Sequence, residues 1–380
     1  MKSIFRLFLP VIFGLIIVSC SDSEVLTSKS EPRTEQTKSV EHSTDLQPKS
    51  LTTVTSSVDE EKTEDSKTTN DDETKKSTSS SKNEELKKSE TSTKPSTSKN
   101  SNTTQKNIGT TKQPASSFKV IAVGDMASCK NDSAGEVSDL LDKYSYPIWG
   151  LGDFAYPDGS KADFQCFDSK VGTHKSKISP VVGNHEYYSD KAKPYFDYFG
   201  SSAGSIDKGY YSQTKGNWQI LFLNSSCWKV GGCNPGNPQY EWVKQQITAK
   251  PDMCRAVVIH DPRWSSWGPY ADADNLDALT RLIYNGKTDL YISGHAHHYE
   301  RLAKLNPDRK EDNKGFRQFT VGTGGIALRQ PDSSDVLSVS RKLITNSHGI
   351  LELSLNQDSY SWKFIDINNK VLDSGSDTCN

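Results

Sequence analysis

Apolar residues fall along this chain in two regimes. Between Ser21 and Ser117 there is no Phe, Trp or Tyr, and Ser, Thr, Lys and Glu dominate without a period that reads as a fold. From Phe118 onward short apolar runs recur: VIAV ending at Val123, IWGL at Leu151, PVV at Val182, VVI at Ile259 and LYIS at Ser293. Such continuous runs predict strands buried on both faces. Between them the spacing changes to that of one helical face. Val137, Leu140, Leu141 and Tyr144 form one set, and Tyr240, Val243 and Ile247 follow Asn237-Pro238, a cap with a first-turn proline. Leu276, Leu279 and Ile283 form a third, with Gly286 as the stop. Later, FRQFTVGTGG, GILELSL and YSWKFIDI predict successive strands. Strand and helix in alternation predict an α/β fold with helices covering a sheet. Residues 118–380 are long enough for one sizeable domain of this kind.

Each of the first five runs closes in a polar motif: GDMA at Gly124, GDFAY at Gly152, GNHE at Gly183, VVIHD from Val257 and GHAH at Gly294. These groups are therefore expected to emerge together at the carboxyl ends of one sheet's strands, where α/β folds build their sites. Asp125, Asp153, Tyr156, Asn184, His260, His295 and His297 are all of metal-binding type. A lone Gly-Asp is ordinarily a turn and a lone strand histidine an ordinary core residue, but five such motifs in order point to a metal site. Two carboxylates, a phenol, an amide oxygen and three imidazoles are too rich in nitrogen for calcium and include no thiolate, which suits iron, zinc or manganese. With one carboxylate bridging two ions, each ion has about four protein ligands and room for water or a substrate oxygen.

The ordered pattern GD, GD, GNH[DE], strand-end His and GHxH resembles the calcineurin-like metallophosphoesterases. Tyr156, three residues after Asp153 in GDFAY, narrows the resemblance to the purple acid phosphatase branch, as do GHAHHYER and VGTGG. The resemblance runs from about Phe118 to the end of the chain. It implies two mixed β-sheets forming a sandwich flanked by helices, and a binuclear-metal hydrolase of phosphate monoesters. It places Asp125, Tyr156 and His297 on a ferric-type first ion, Asp153 as the bridge, and Asn184, His260 and His295 on a second ion, iron, zinc or manganese. His185 resembles the histidine that faces substrate and helps the alcohol leave. Family members often carry another histidine shortly after the strand-end ligand, whereas HDPRWSSWGPYADAD has none before His295.

In that stretch Arg263, Trp264 and Trp267 are expected to line the substrate mouth, with ordinary loop packing as the alternative. His298 alternates to the face opposite its neighbours and reads as structural. His42 and His348 carry no signal, and His174 only a weak one. Two other functions stay open: a phosphodiesterase or nucleotidase on the same metals, and a non-catalytic surface-binding lipoprotein with a degenerate domain.

The N-terminus adds a location. Lys2 and Arg6 precede LFLPVIFGLIIV, too short to span a membrane comfortably, and the run ends at Ile17-Val18-Ser19-Cys20. That ending resembles a bacterial lipobox. It implies a signal peptide over residues 1–19, a lipid-modified Cys20 and a chain held outside the cytoplasm, with an uncleaved anchor helix as the alternative. Residues 20–117 cannot bury enough apolar surface to offset their ordering entropy and read as a disordered tether. A formal net charge of -2 leaves no basic stripe for nucleic acid, so a small phosphorylated substrate is the expected partner. Cys129, Cys166, Cys227, Cys233, Cys254 and Cys379 are an even set in an exported domain and predict disulfides. Cys227 and Cys233 flank WKVGG and form the best local pair. Cys129 and Cys166 each follow a ligand motif, which would leave Cys254 with Cys379. Sequence alone does not prove these pairings, and it leaves the oligomeric state unknown.

Overall fold

The computed structural model of the chain describes residues 117–130, 132–268 and 272–380. The expected signal peptide, Cys20 and, Ser117 apart, the expected tether lie outside the described residues. Within them, fifteen strands follow in order. They are β1 (Phe118–Val123), β2 (Ala127–Ser128), β3 (Ile148–Gly150), β4 (Ala155–Tyr156), β5 (Ile178–Pro180), β6 (Tyr211–Lys215), β7 (Trp218–Phe222) and β8 (Cys254–Val258). Then come β9 (Leu290–Ser293), β10 (Tyr299–Leu305), β11 (Phe316–Val321), β12 (Ser340–Ile344), β13 (Gly349–Leu355), β14 (Ser359–Asp366) and β15 (Val371–Thr378). The α-helices are α1 (Ala134–Leu141), α2 (Lys161–Val171), α3 (Lys193–Phe199), α4 (Pro238–Ala249) and α5 (Asp277–Asn285).

The strands form two mixed sheets. One has the order β15-β14-β13-β1-β3-β5, the other β12-β10-β11-β9-β8-β7-β6, and β2 pairs with β4. Parallel blocks, β1-β3-β5 in one sheet and β7-β8-β9-β11 in the other, hold the continuous apolar runs. The sheets face each other across a core that includes Ala122, Trp149, Phe222, Val258, Phe319 and Leu353, with Tyr299 stacked on Phe364 at 4.1 Å. A second cluster joins α1 to α3 to the first sheet, and a third joins α4 and α5 to the second.

One expectation is corrected here: the five motifs do not leave a single sheet. GDMA, GDFAY and GNHE follow β1, β3 and β5 of the first, whereas VVIHD and GHAH follow β8 and β9 of the second. The two carboxyl rims are joined directly, since Gly124 N–H donates to Val321 O and Gly324 N–H to Gly124 O. At the opposite rim Trp218 Nε1 donates to Asn356 O.

The three foreseen helices form as α1, α4 and α5, with Tyr144 just beyond α1 and Leu276 just before α5. Asn237 precedes α4 without a side-chain cap bond, because its carboxamide accepts from Asn234 N–H instead. α2 and α3 were not foreseen, although Ser160 and Asp163 form a capping box at the start of α2. The disulfides are Cys129–Cys166, Cys227–Cys233 and Cys254–Cys379. The last ties the C-terminus to the start of β8.

Candidate metal centre

Both rims turn sharply into the site, and the turns require unusual backbone. Asp125, Asp153 and His295 have φ of 59°, 51° and 69°, left-handed values that cost a side-chain-bearing residue roughly 1–3 kcal/mol each and persist where surrounding structure enforces them. The enforcement is visible. Asp125 N–H donates to Gly152 O and Met126 N–H to Asp153 O, so the loops after β1 and β3 run side by side. Across the sheets, His295 N–H donates to Asp125 Oδ2 at 2.7 Å.

The side chains meet in two groups that share one atom. Tyr156 Oη lies 3.0 Å from Asp125 Oδ1, 3.1 Å from Asp153 Oδ2 and 3.2 Å from His297 Nε2. On the other side, His260 Nε2 lies 3.2 Å from Asp153 Oδ2, 3.1 Å from Asn184 Oδ1 and 3.3 Å from His295 Nδ1. Asp153 Oδ2 therefore belongs to both groups. Its other oxygen, Oδ1, accepts His185 N–H at 2.9 Å.

Three of the donors have their remaining polar atom tied elsewhere. His260 Nδ1 pairs with Leu151 O at 2.7 Å and His297 Nδ1 with Ala327 O at 3.1 Å. A carbonyl only accepts, so each Nδ1 carries a hydrogen and each Nε2 is the ring atom turned inward. Asn184 Nδ2 donates to Tyr188 Oη, which turns Oδ1 toward the site.

The electrostatics follow from burial. Burial pushes the Asp125 carboxyl up to about 8. Burial also opposes the ionisation of Asp153, but the His260 charge beside it wins and holds that carboxyl well below the usual range. Burial opposes the His260 charge in turn, and Asp153 overrides it and raises His260 well above an ordinary imidazole. Burial pushes His297 down to about 4 and lowers His295. Burial and the two carboxylates hold the Tyr156 phenol well above its ordinary value. Cations would displace the protons that Asp125 and His260 hold, and the oxygens and nitrogens of Asp125, Asp153, Asn184, His260 and His297 would then offer converging lone pairs, a set that fits two cations.

His185 stands beside this set. Its Nδ1 is bonded to Pro157 O, its Nε2 lies 3.9 Å from Asp153 Oδ2, and its ring packs 4.3 Å from that of Tyr156.

Of the three residues expected at the mouth, only Trp267 is there, 5.5 Å from the His295 ring and 6.0 Å from that of His297. Trp264 is corrected: it is 2% exposed and stacks on Phe316 in the core. Arg263 is corrected too, being 5% exposed and turned to Asp274 and Asp277 at 3.3 Å. His298 is buried near Glu300 and Ser265, away from the ligands.

Two residues were missed. Glu186 is fully buried and accepts the N–H groups of Asp153, Phe154 and Gly183 at 2.7–2.9 Å, clamping the loops that carry Asp153 and Asn184. Its place in GNHE was the available signal. Arg329 lies over the Trp267 ring at 4.8 Å, and nothing in the sequence around it marks it.

With this geometry the known proteins can be compared. The sequence model described as calcineurin-like phosphoesterase matches residues 118–299. A probable purple acid phosphatase 20 of Arabidopsis thaliana is 24% identical over 61% of this chain and 58% of its own length. An Fe(3+)-Zn(2+) purple acid phosphatase 12 of the same plant is 24% identical over 67% of this chain and 58% of its own length. The chain thus spans little more than half the length of these relatives. Among solved structures, purple acid phosphatase PPD1 from yellow lupin seeds shares the fold with a TM-score of 0.61 at 16% identity, over 70% of this chain and 54% of that one. GAP50, the anchor in the inner membrane complex of Plasmodium, does so with a TM-score of 0.53 at 15% identity, over 70% and 89%.

Gly183 leaves no room for a side chain, because a Cβ there would collide with Asp153 Oδ1 and Asp153 N. Gly183→Ala should therefore displace the shared carboxylate. Elemental analysis after loading with iron, zinc or manganese should show fewer ions bound than in the parent, with the far-ultraviolet circular dichroism of the parent. Metal content equal to the parent's would show that the placement of Asp153 does not govern metal binding.

Proposed function

The chain carries a calcineurin-like phosphoesterase domain over residues 118–299, and from that premise we propose that it hydrolyses phosphate monoesters at a two-metal centre outside the cytoplasm. The observation that carries this reading is the position of Asp153 Oδ2, within 3.2 Å of both Tyr156 Oη and His260 Nε2. Asp125, Tyr156 and His297 would hold the first ion, a ferric one, and Asn184, His260 and His295 the second, iron, zinc or manganese, with Asp153 between them. Bound there, the ions supply Lewis acidity toward phosphoryl oxygens and lower the pKa of water.

The chain's own residues do the rest. Asp125, Asp153 and Glu186, all fully buried, fix the donor set and exclude bulk water from it. His185, held through Nδ1 by Pro157 O, would as the imidazolium give its Nε2 proton to the departing alcohol oxygen. Trp267 walls the mouth beside His295 and His297.

The description of GAP50 as an anchor shows the fold in a protein described by an anchoring role. The complete, inward-turned ligand set here favours chemistry over that reading. Upstream, Cys20 after the apolar run supports a lipid anchor on an extracytoplasmic membrane face.

Three measurements test these statements. The iron-loaded protein should show a visible charge-transfer band that Tyr156→Phe abolishes; a colourless wild type would exclude a ferric ion bound through this phenolate. His185→Ala should slow alkyl phosphates on the order of a hundredfold while sparing activated aryl phosphates, because a general acid matters most for a basic leaving oxygen. Metal content should stay at the parent's level, and equal losses on both substrates would take proton donation away from His185. In the native host Cys20→Ser should move the protein from the membrane to the soluble fraction, whereas an unchanged membrane fraction would favour an uncleaved helix.

A further inference from the structure

Beside the proposed second ion the surface opens into a hollow of about 310 Å³ that Asn184 and His295 help to line. The hollow adjoins the place where a phosphate on the centre would lie, so its chemistry bears on substrate class. Its other polar walls are Ser225, Ser226, Asp261, Asp272 and Asn275, and among the described residues no Lys or Arg lines it. The Asp261 carboxylate lies 3.7 Å from His295 Nδ1 and Asp272 is paired with Arg309 at 3.0 Å. Asn275 spends its Nδ2 on Ser225 O and Cys227 Sγ at 3.4 Å each, which leaves its Oδ1 to accept.

The remaining walls are Pro262, Ala273 and Trp228, the last at 71% exposed the most open large apolar side chain among the described residues. It sits in the loop that the Cys227–Cys233 disulfide closes. Lys229 Nζ lies 3.8 Å from its ring centroid, and Lys229 lines a neighbouring hollow that Trp228 also lines. The indole thus stands between the two hollows, and Lys229 belongs to the neighbouring one.

We infer that this hollow receives the leaving group and is built for an uncharged, hydroxyl-rich one, making a sugar or polyol monophosphate the preferred substrate. Carboxylates and a carboxamide oxygen accept hydrogen bonds from hydroxyls, and an exposed indole offers a face to the C–H side of a sugar ring. The Asp261 carboxylate opposes a second phosphate, whereas Asp272 is offset by Arg309, and among the described residues no Lys or Arg lines the hollow. In the reaction the bond between phosphorus and the sugar oxygen breaks, a bond from phosphorus to a water oxygen forms, and the sugar oxygen departs with a proton as a free hydroxyl. This inference rests on the monoesterase reading.

Steady-state kinetics of the metal-loaded full chain would test it with glucose 6-phosphate, adenosine diphosphate and para-nitrophenyl phosphate. The sugar phosphate should exceed the diphosphate in kcat/KM by about tenfold or more, the scale of one unfavourable charge contact. Trp228→Ala should raise KM for glucose 6-phosphate roughly five- to tenfold, the scale of a lost stacking contact, with the change falling on KM rather than kcat. Trp228→Phe should recover most of the loss, and inhibition by orthophosphate, which has no leaving group, should not follow these changes. A KM for glucose 6-phosphate indifferent to Trp228, or preference for the diphosphate, overturns this inference while turnover of para-nitrophenyl phosphate leaves the monoesterase reading standing. No turnover of any monoester by protein holding two ions overturns both.

Discussion

The Asp153 carboxylate is the point through which the architecture acts. Its backbone is held left-handed, its N–H is taken by buried Glu186, and its Oδ1 is taken by the N–H of His185. What remains is one oxygen, Oδ2, aimed at the seam between the sheets, within 3.2 Å of a phenol carried by the first sheet's loops and an imidazole carried by the second. Two sheets packed through an apolar core can slide or rotate slightly without much loss, since dispersion has little direction. A shared carboxylate cannot. Its geometry demands that the rims meet in one register, which the direct contacts Gly124 to Val321 and His295 to Asp125 provide.

The legible and illegible parts of this fold separate by the range of the interactions involved. The five ligand motifs could be read because each is local: an apolar strand, a glycine and a polar residue within a few positions. Their division between two sheets could not, because β13 lies between β14 and β1 through pairings such as Phe118 with Leu355, residues far apart in sequence. Trp264 and Trp267 show the same limit at close quarters. They are three residues apart in an irregular loop, where no period fixes direction, and one is drawn inward by Phe316 while the other flanks His297. Glu186 escaped notice for a different reason: its partners are backbone amides, which every residue possesses. α2 was the avoidable omission, since its capping box stands in the sequence as Ser160 and Asp163.

Three fully buried carboxyls, Asp125, Asp153 and Glu186, crowd this rim. Burial and mutual repulsion push Glu186 up to about 7 and Asp125 up to about 8. Left-handed backbone adds to the strain at the same place. None of this favours folding. The apolar sandwich and its two helical flanks must supply the stability that the rim consumes, and the division is spatial: packed hydrocarbon between the sheets, frustrated charge at one end.

The Cys254–Cys379 bond and the start of β1 have a directional meaning. Phe118 opens the strand whose far end delivers Asp125, and Cys379 is fastened where β8 begins, at the end remote from His260. Both ends of the folded domain therefore emerge at the rim opposite the metal centre, separated from it by a strand's length, roughly 20 Å. Whatever precedes Phe118 or is fused after Asn380 joins the domain from behind. The ligand loops therefore share no edge with either point of attachment, and a change made at one end of the domain is a change made on the far side of the sandwich from the chemistry.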